Sequence, residues 1–234
     1  TVDLANTAVT TSKKDITLGE VGVMTTVTDL ALNYSKQNVI SDIGRLFGEA
    51  IAKKIDQDLT GLFSGFSTFA LGNATDTQTE MTAAHLFAAA AKLKNAGVPG
   101  PYFGVFNPAS IFNMKKTMTS TFVPQGNTGV VNEAMTEGYV GRIAGIDIFE
   151  TSNVVADSAT SAVNGVFSRD ALSMAMGSDL KIATQRDESL RATEVVATAV
   201  YGVSELHDSY GVKVVADATI SVSYTHLRAH ETRH

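Results

Sequence analysis

VISDIGRLFGEAIAKKIDQDLTGLFS, residues 39–64, decides how this chain folds. Ile40, Ile43, Phe47, Ile51, Ile55, Leu59 and Leu62 recur at spacings of three and four, so a 3.6-residue turn gathers them on one face. Ser41 and Asp42 offer side-chain oxygens for an N-terminal cap, and Gly65 offers a stop. Glu49–Lys53 and Lys54–Asp58 stand at i, i+4 on the polar side, each pair contributing only about 0.2–0.5 kcal/mol. At 1.5 Å per residue such a helix is about 35–40 Å long, beyond the usual globular length. It reads as a structural strut.

The segment before the strut, residues 1–37, is rich in Thr, Val and Asp with patches of period-two alternation. Ile16, Leu18, Val21, Val23 and Val27, punctuated by Gly19 and Gly22, predict a bent extended loop or hairpin. These residues cannot form a core alone. An arm that finds its burial on a neighbouring subunit is the expectation.

After the strut, Gly72 to Thr79 is a polar loop, and Met81 or Thr82 opens a second helix that closes at Gly97 with Pro99 beyond. Tyr102–Phe106 is an apolar strand, and Asn107–Pro108 starts a third helix through Ile111, Phe112, Lys115 and Met118. Residues 119–137 form a Pro/Gly/Asn-bearing loop. A strand pair follows around Tyr139–Ile143 and Ile146–Thr151, broken at Gly145. Next come a Ser/Ala/Asp linker near 152–164, a short helical turn at Arg169–Met176 and a strand at Leu180–Arg186. ATEVVATAVYGVSELH and GVKVVAD then read as long closing strands.

Composition narrows the function. Of the 234 residues, 44% are hydrophobic and 18% charged, the latter below the roughly 25% of ordinary soluble domains. Subunit interfaces are the natural place for the missing polarity. No apolar run reaches the roughly 20 residues of a membrane helix. A net charge of −6 opposes tight wrapping of nucleic acid, without opposing a container that merely tolerates it. Cysteine is absent, which removes disulfides, thiolate zinc sites and cysteine nucleophiles. Thr1 to Thr10 lack the basic start and apolar core of a secretory signal, and the chain opens without Met, as a truncated or matured product would.

Chemistry-bearing motifs are missing. Gly138, Gly141 and Gly145 have the wrong spacing for a phosphate loop, and neither G-x-S-x-G nor H-E-x-x-H occurs. His207, Asp208 and Ser209 hold triad letters, but contiguous residues diverge, so a turn between strands is expected. Asp56 and Asp58 diverge on the strut, and His85 lies in an Ala-rich helix as a packed or surface residue. The last stretch, SVSYTHLRAHETRH, places His226, His230 and His234 at i, i+4, i+8; it reads as a tail foreign to the fold, not as a metal site. No catalytic residue, cofactor or metal is expected.

Three stretches in this order resemble the major capsid proteins of tailed phages, the fold named after phage HK97. They are GYVGRIAGIDIFETSNV (138–154), VNGVFSRDALSMAM (163–176) and ATEVVATAVYGVSELHDSYGVKVVAD (192–217), the last with its Tyr201–Gly202 step. The resemblance covers roughly residues 15–220. It implies an α+β HK97-like capsid fold: an N-terminal arm and extended loop (1–37), a spine helix opening the peripheral domain (38–79), an axial domain (80–180) and a return to the peripheral domain (181–220), with 221–234 as a non-native tail. It further implies a non-enzymatic subunit of an icosahedral virion head, assembled in the host cytoplasm as hexamers and pentamers around double-stranded DNA. Scaffolding, portal and decoration proteins would be its partners, without sequence-specific DNA binding and without a membrane. Lys13 and Lys14 fall near the loop that crosslinks in some such capsids, and are read here as solvated lysines. Assembly contacts are expected at Ile16, Leu18, Val21, Val23 and Val27, and in the mobile loop at Phe122, Val123 and Val130. An encapsulin-like compartment shell is the alternative; a soluble α/β enzyme, which needs a concave site built from distant residues, is the more distant one.

Overall fold

A computed structural model describes residues 13–34, 39–71, 79–121, 141–154 and 160–220. The chain divides into two compact units, residues 1–62 with 170–208, and residues 63–169 with 209–234.

In the first unit, strand β1 (Gly19–Thr28) is followed by a short helix α1 (Asp29–Tyr34) and the strut helix α2 (Val39–Gly61). Strands β7 (Leu172–Asp187) and β8 (Ala192–Glu205) complete a three-stranded antiparallel sheet in the order β1-β8-β7. Phe47 and Ile51 of α2 are buried against Val195, Ala197 and Ala199, with Val23, Ile43 and Ile55 packed around them. Burying each of these two large side chains contributes about 2 kcal/mol. The alanines on β8 leave room for them. Tyr201 ties the helix end to the sheet by donating its hydroxyl to Asp58 Oδ2 at 2.7 Å, while Lys54 holds Oδ1 at 2.6 Å.

The strut therefore forms where its periodicity predicts, from Val39 to Gly61, with Ser41 and Asp42 inside its first turn. Glu49 pairs with Arg45 at 2.6 Å, one turn back, in place of the expected Lys53.

The second unit holds a six-stranded sheet in the order β2-β9-β6-β3-β5-β4: β2 (Phe69–Leu71), β3 (Tyr102–Phe106), β4 (Arg142–Ile143), β5 (Ile146–Glu150), β6 (Ser161–Ser168) and β9 (Gly211–Asp217). Helices α3 (Ala83–Asn95) and α4 (Pro108–Thr121) supply Leu86, Leu93, Ile111 and Met114 to one core with Tyr102, Phe106, Ile146, Val166 and Val214. On the other face a 3-10 turn, Leu62–Gly65, sets the Phe63 ring against Gly165, and the Phe66 ring lies against Gly211. The two glycines are flat ground for two phenyl rings.

A buried polar network fixes α4. Asn107 caps it by accepting from Ala109 N–H at 2.9 Å, and Asn107 N–H donates to Asn164 Oδ1 at 2.7 Å. The Asn164 amide in turn donates to Ser110 Oγ (3.2 Å) and the Val214 carbonyl (3.1 Å). The β4–β5 turn is made by Ala144 and Gly145, at φ +56° and +85°, where glycine is favoured.

Two expectations are corrected. Residues 161–164 are strand, not linker: Ser161 and Asn164 are buried polar residues satisfied by partners. The helical turn expected at 169–176 is a three-residue 3-10 turn, Arg169–Ala171, and Leu172–Met176 already belongs to β7. Within the second unit, β9 pairs antiparallel with β6.

Candidate assembly surfaces

β1 is hydrogen-bonded to β8 along its whole length, from Gly19 opposite Tyr201 to Thr28 opposite Ala192. Alternation turns Val21, Val23 and Val27 toward α2, and Val27 is only 6% exposed. Val23 packs beside the Phe47–Ile51 cluster of α2, while Val21 stays half-buried. Ile16 is half-buried and Leu18 is 46% exposed. Phe122, Val123 and Val130, like His226, His230 and His234, lie outside the described residues.

The opposite face of the sheet carries a different set. Met24, 61% exposed, stands opposite Val196, which stands opposite Ala183, so an apolar row crosses all three strands. Twelve of the sixteen exposed large apolar side chains among the described residues belong to the first unit. That unit is the stickier surface.

At the β7–β8 turn the same pattern has a rigid frame. Asp187 Oδ1 accepts from Ser189 N–H (2.9 Å), Ser189 Oγ (2.6 Å) and Leu190 N–H (3.2 Å), and these bonds, Ser189 first, hold its carboxyl below the ordinary range. Arg191 turns the chain at φ +47°, and its carbonyl accepts from Asp29 N–H at 2.9 Å. Arg186 grips the Asp29 carboxylate through two nitrogens, one at 2.7 Å, which lowers the Asp29 pKa; Glu188 binds the same guanidinium at 3.2 Å. These groups are well exposed and add little stability; they set geometry. What they hold out is apolar: Leu190 is 61% exposed, and the adjoining α1 buries no residue while showing Leu30 and Tyr34, 82% exposed in the latter case. Sequence reading missed Met24, Leu30, Tyr34 and Leu190. Tyr34 and Leu190 stand between polar neighbours, but Met24 follows Val23 and Leu30 precedes Ala31, so no common sequence signal marks the four.

The sheets differ at their edges too. The six-stranded sheet ends in strands of three and two residues, whereas the first unit's sheet ends in the 16-residue β7. Short edge strands blunt pairing with other chains, and long ones invite it.

The residues weighed for chemistry have structural places. His207, Asp208 and Ser209 fall at the bend and 3-10 turn between β8 and β9. His85 Nδ1 accepts the Thr82 N–H at 3.0 Å, capping α3, and burial lowers its pKa. Among the described residues no cluster of His, Asp and Glu could hold a metal, and no helix is long and apolar enough to cross a membrane.

A long helix laid on a three-stranded antiparallel sheet, joined to a six-stranded mixed sheet packed with two helices, defines the HK97-like class of shell subunits. The chain belongs to the phage capsid protein family, whose model matches residues 11–215. It is thus a structural component of the virion capsid. The solved structure of the capsid of cyanophage P-SCSP1u is similar at a TM-score of 0.67 and 16% identity, covering 92% of this chain and 80% of that one. That of Mycobacterium phage Che8 matches at 0.67 and 19%, covering 88% and 76%. The SrpI encapsulin of Synechococcus elongatus PCC 7942 matches at 0.64 and 13%, covering 88% and 77%. At these identities the likeness is one of fold. No curated protein matches the chain.

Proposed function

We propose that this protein is the major shell subunit of a tailed-phage head, assembling with copies of itself into hexamers and pentamers that close around double-stranded DNA, and that it carries no catalytic activity. The observation that carries this is the family match over residues 11–215, in a chain whose first unit exposes ordered apolar side chains. In this reading the first unit is the peripheral domain, with α2 as spine, and the second is the axial domain. Copies meet through the Met24–Val196 row, through Leu30, Tyr34 and Leu190 at the tip, through Leu18, and through Phe122, Val123 and Val130. A net charge of −6 suits a wall that holds DNA without gripping it. Scaffolding, portal and decoration proteins would act on this shell from outside the chain.

An encapsulin-type compartment shares the fold. The family match favours the phage head, and the contents of purified particles separate the two: DNA in one case, a cargo protein in the other.

The test is substitution at the exposed face. Met24→Glu and Leu190→Glu add a charge at exposed positions where little intramolecular packing is lost, so subunits should fold as before and fail to assemble by electron microscopy. Unchanged assembly in both variants would remove these surfaces from the account.

A further inference from the structure

We infer that Gly177 and Gly202 form a seat that straps Ile16–Leu18 across the sheet of the first unit, and that shell formation requires the strap to be seated. The inference rests on the capsid reading for its second half only.

β1 ends its pairing at Gly19, opposite Tyr201. Residues 13–18 have no regular structure and, apart from half-buried Ile16, are exposed. Tyr201 points toward α2, so Gly202 looks out from the opposite face of the sheet. Gly202 is nevertheless buried, and what lies over it is the backbone of Thr17. A Cβ built there would collide with the Thr17 carbonyl and stand 3.0 Å from Ile16 Cγ2. On the neighbouring strand, where Ala175 faces Gly202, a Cβ on Gly177 would stand 3.0 Å from Leu18 Cδ1 and 3.2 Å from Val200 Cγ1. Two missing side chains thus make the notch that the strap occupies. The ion pair of the strap, Lys13–Asp15 at 3.4 Å, is 87% and 83% exposed and holds nothing in place.

The two glycines are not equivalent. At Gly177 the obstacle is the far end of a leucine, which can rotate away. At Gly202 it is backbone, which no rotamer relieves. Gly202→Ala must therefore lift Ile16–Thr17 off the sheet, changing the path of residues 13–15. The β1–β8 ladder begins beyond that point and stays paired.

Limited trypsin digestion of unassembled subunits reads the strap directly, since cleavage after Lys13 or Lys14 needs the surrounding chain free. Gly202→Ala should be cut there at least about tenfold faster than the parent, and Gly177→Ala within about threefold, with circular dichroism unchanged. Under conditions where the parent and Gly177→Ala form shells, Gly202→Ala should not. Cleavage no faster in a folded Gly202→Ala would overturn the seat, and faster cleavage with normal shells would overturn its role in assembly. Should Gly202→Ala lose its fold, Ile16→Ala/Leu18→Ala empties the notch from the strap side and decides the same two points. A parent that never forms shells would defeat the capsid reading instead, leaving the digestion comparison to judge the seat.

Discussion

Gly165→Ala sets two physical effects of opposite sign against each other, and the structure says which wins. Alanine is favoured over glycine inside a strand by about 0.5–1 kcal/mol, so propensity alone makes the change stabilising. Packing reverses this. A Cβ at Gly165 would stand 2.6, 2.7 and 2.9 Å from Cδ1, Cγ and Cε1 of Phe63. The ring is 1% exposed and cannot swing into solvent. It is hemmed by Phe167, with centroids 5.4 Å apart, and by Phe66 at 6.1 Å. Overpacking costs about 1–3 kcal/mol, and a ring so confined puts it in the upper half of that range, about 2–3 kcal/mol, leaving a net loss of about 1–2.5 kcal/mol after the propensity gain. With a urea slope of about 2 kcal/mol per M, the unfolding midpoint of the unassembled subunit should fall by about 0.5–1.25 M. The decisive assay is a double-mutant cycle. Phe63→Ala alone should cost about 3–5 kcal/mol by opening a cavity. In that background Gly165→Ala should become neutral or stabilising, a coupling of about 2 kcal/mol. If Gly165→Ala raises the midpoint in the parent, or costs the same with and without Phe63, the ring-on-glycine packing is wrong.

Three further outcomes are expected. His85 caps α3 only as the neutral acceptor, and burial sets its pKa below the ordinary 6.5; stability present above 6.5 is therefore lost as pH falls through the folded value. His85→Gln, which keeps an acceptor without titrating, should flatten that slope in thermal melts between pH 7 and about 5. Asn164→Leu strands the Asn107 N–H and the Ser110 hydroxyl and should cost about 3 kcal/mol by urea unfolding; a loss under about 1 kcal/mol would mean the network adds little. Burial would raise the Asp58 carboxyl, but bonds from Lys54 and Tyr201 outweigh it and hold it below 3.8, while burial and Asp58 push the Tyr201 phenol up to about 12. The Asp58 contribution is thus present above 3.8 and lost as pH falls through its folded value; Tyr201→Phe should cost about 1.5 kcal/mol near pH 7 and shrink that acid loss, whereas equal losses at all pH would refute the pairing.

The sequence made some elements plain and hid others for physical reasons. The strut was readable because its stripe repeats with the helix period and its buried members, Phe47 and Ile51, are large. Helix α3 was readable at both ends from Thr82 and Gly97, the latter at φ +71°. β7 was misjudged over Leu172–Met176 because bulges between Met176 and Lys181 cut that stretch off from the rest of an exposed edge strand. β6 hid its first half because Ser161 and Asn164 look like loop residues until distant partners satisfy them. Partition between sheets was not legible at all: β8 and β9 are consecutive and equally apolar, and only tertiary pairing sends them to different units. Nothing local to Val21, Val23 and Val27 reveals that β1 shares a sheet with a strand some 170 residues later.

The central claim is that this chain builds a shell from copies of itself. Sedimentation velocity beside electron microscopy of the purified chain, stepped through salt and protein concentration, tests it most directly. The account predicts pentamers and hexamers, or closed particles with the curvature of a head. A folded protein that remains monomer or dimer across that range, and stays so when supplied with scaffolding protein, would contradict it.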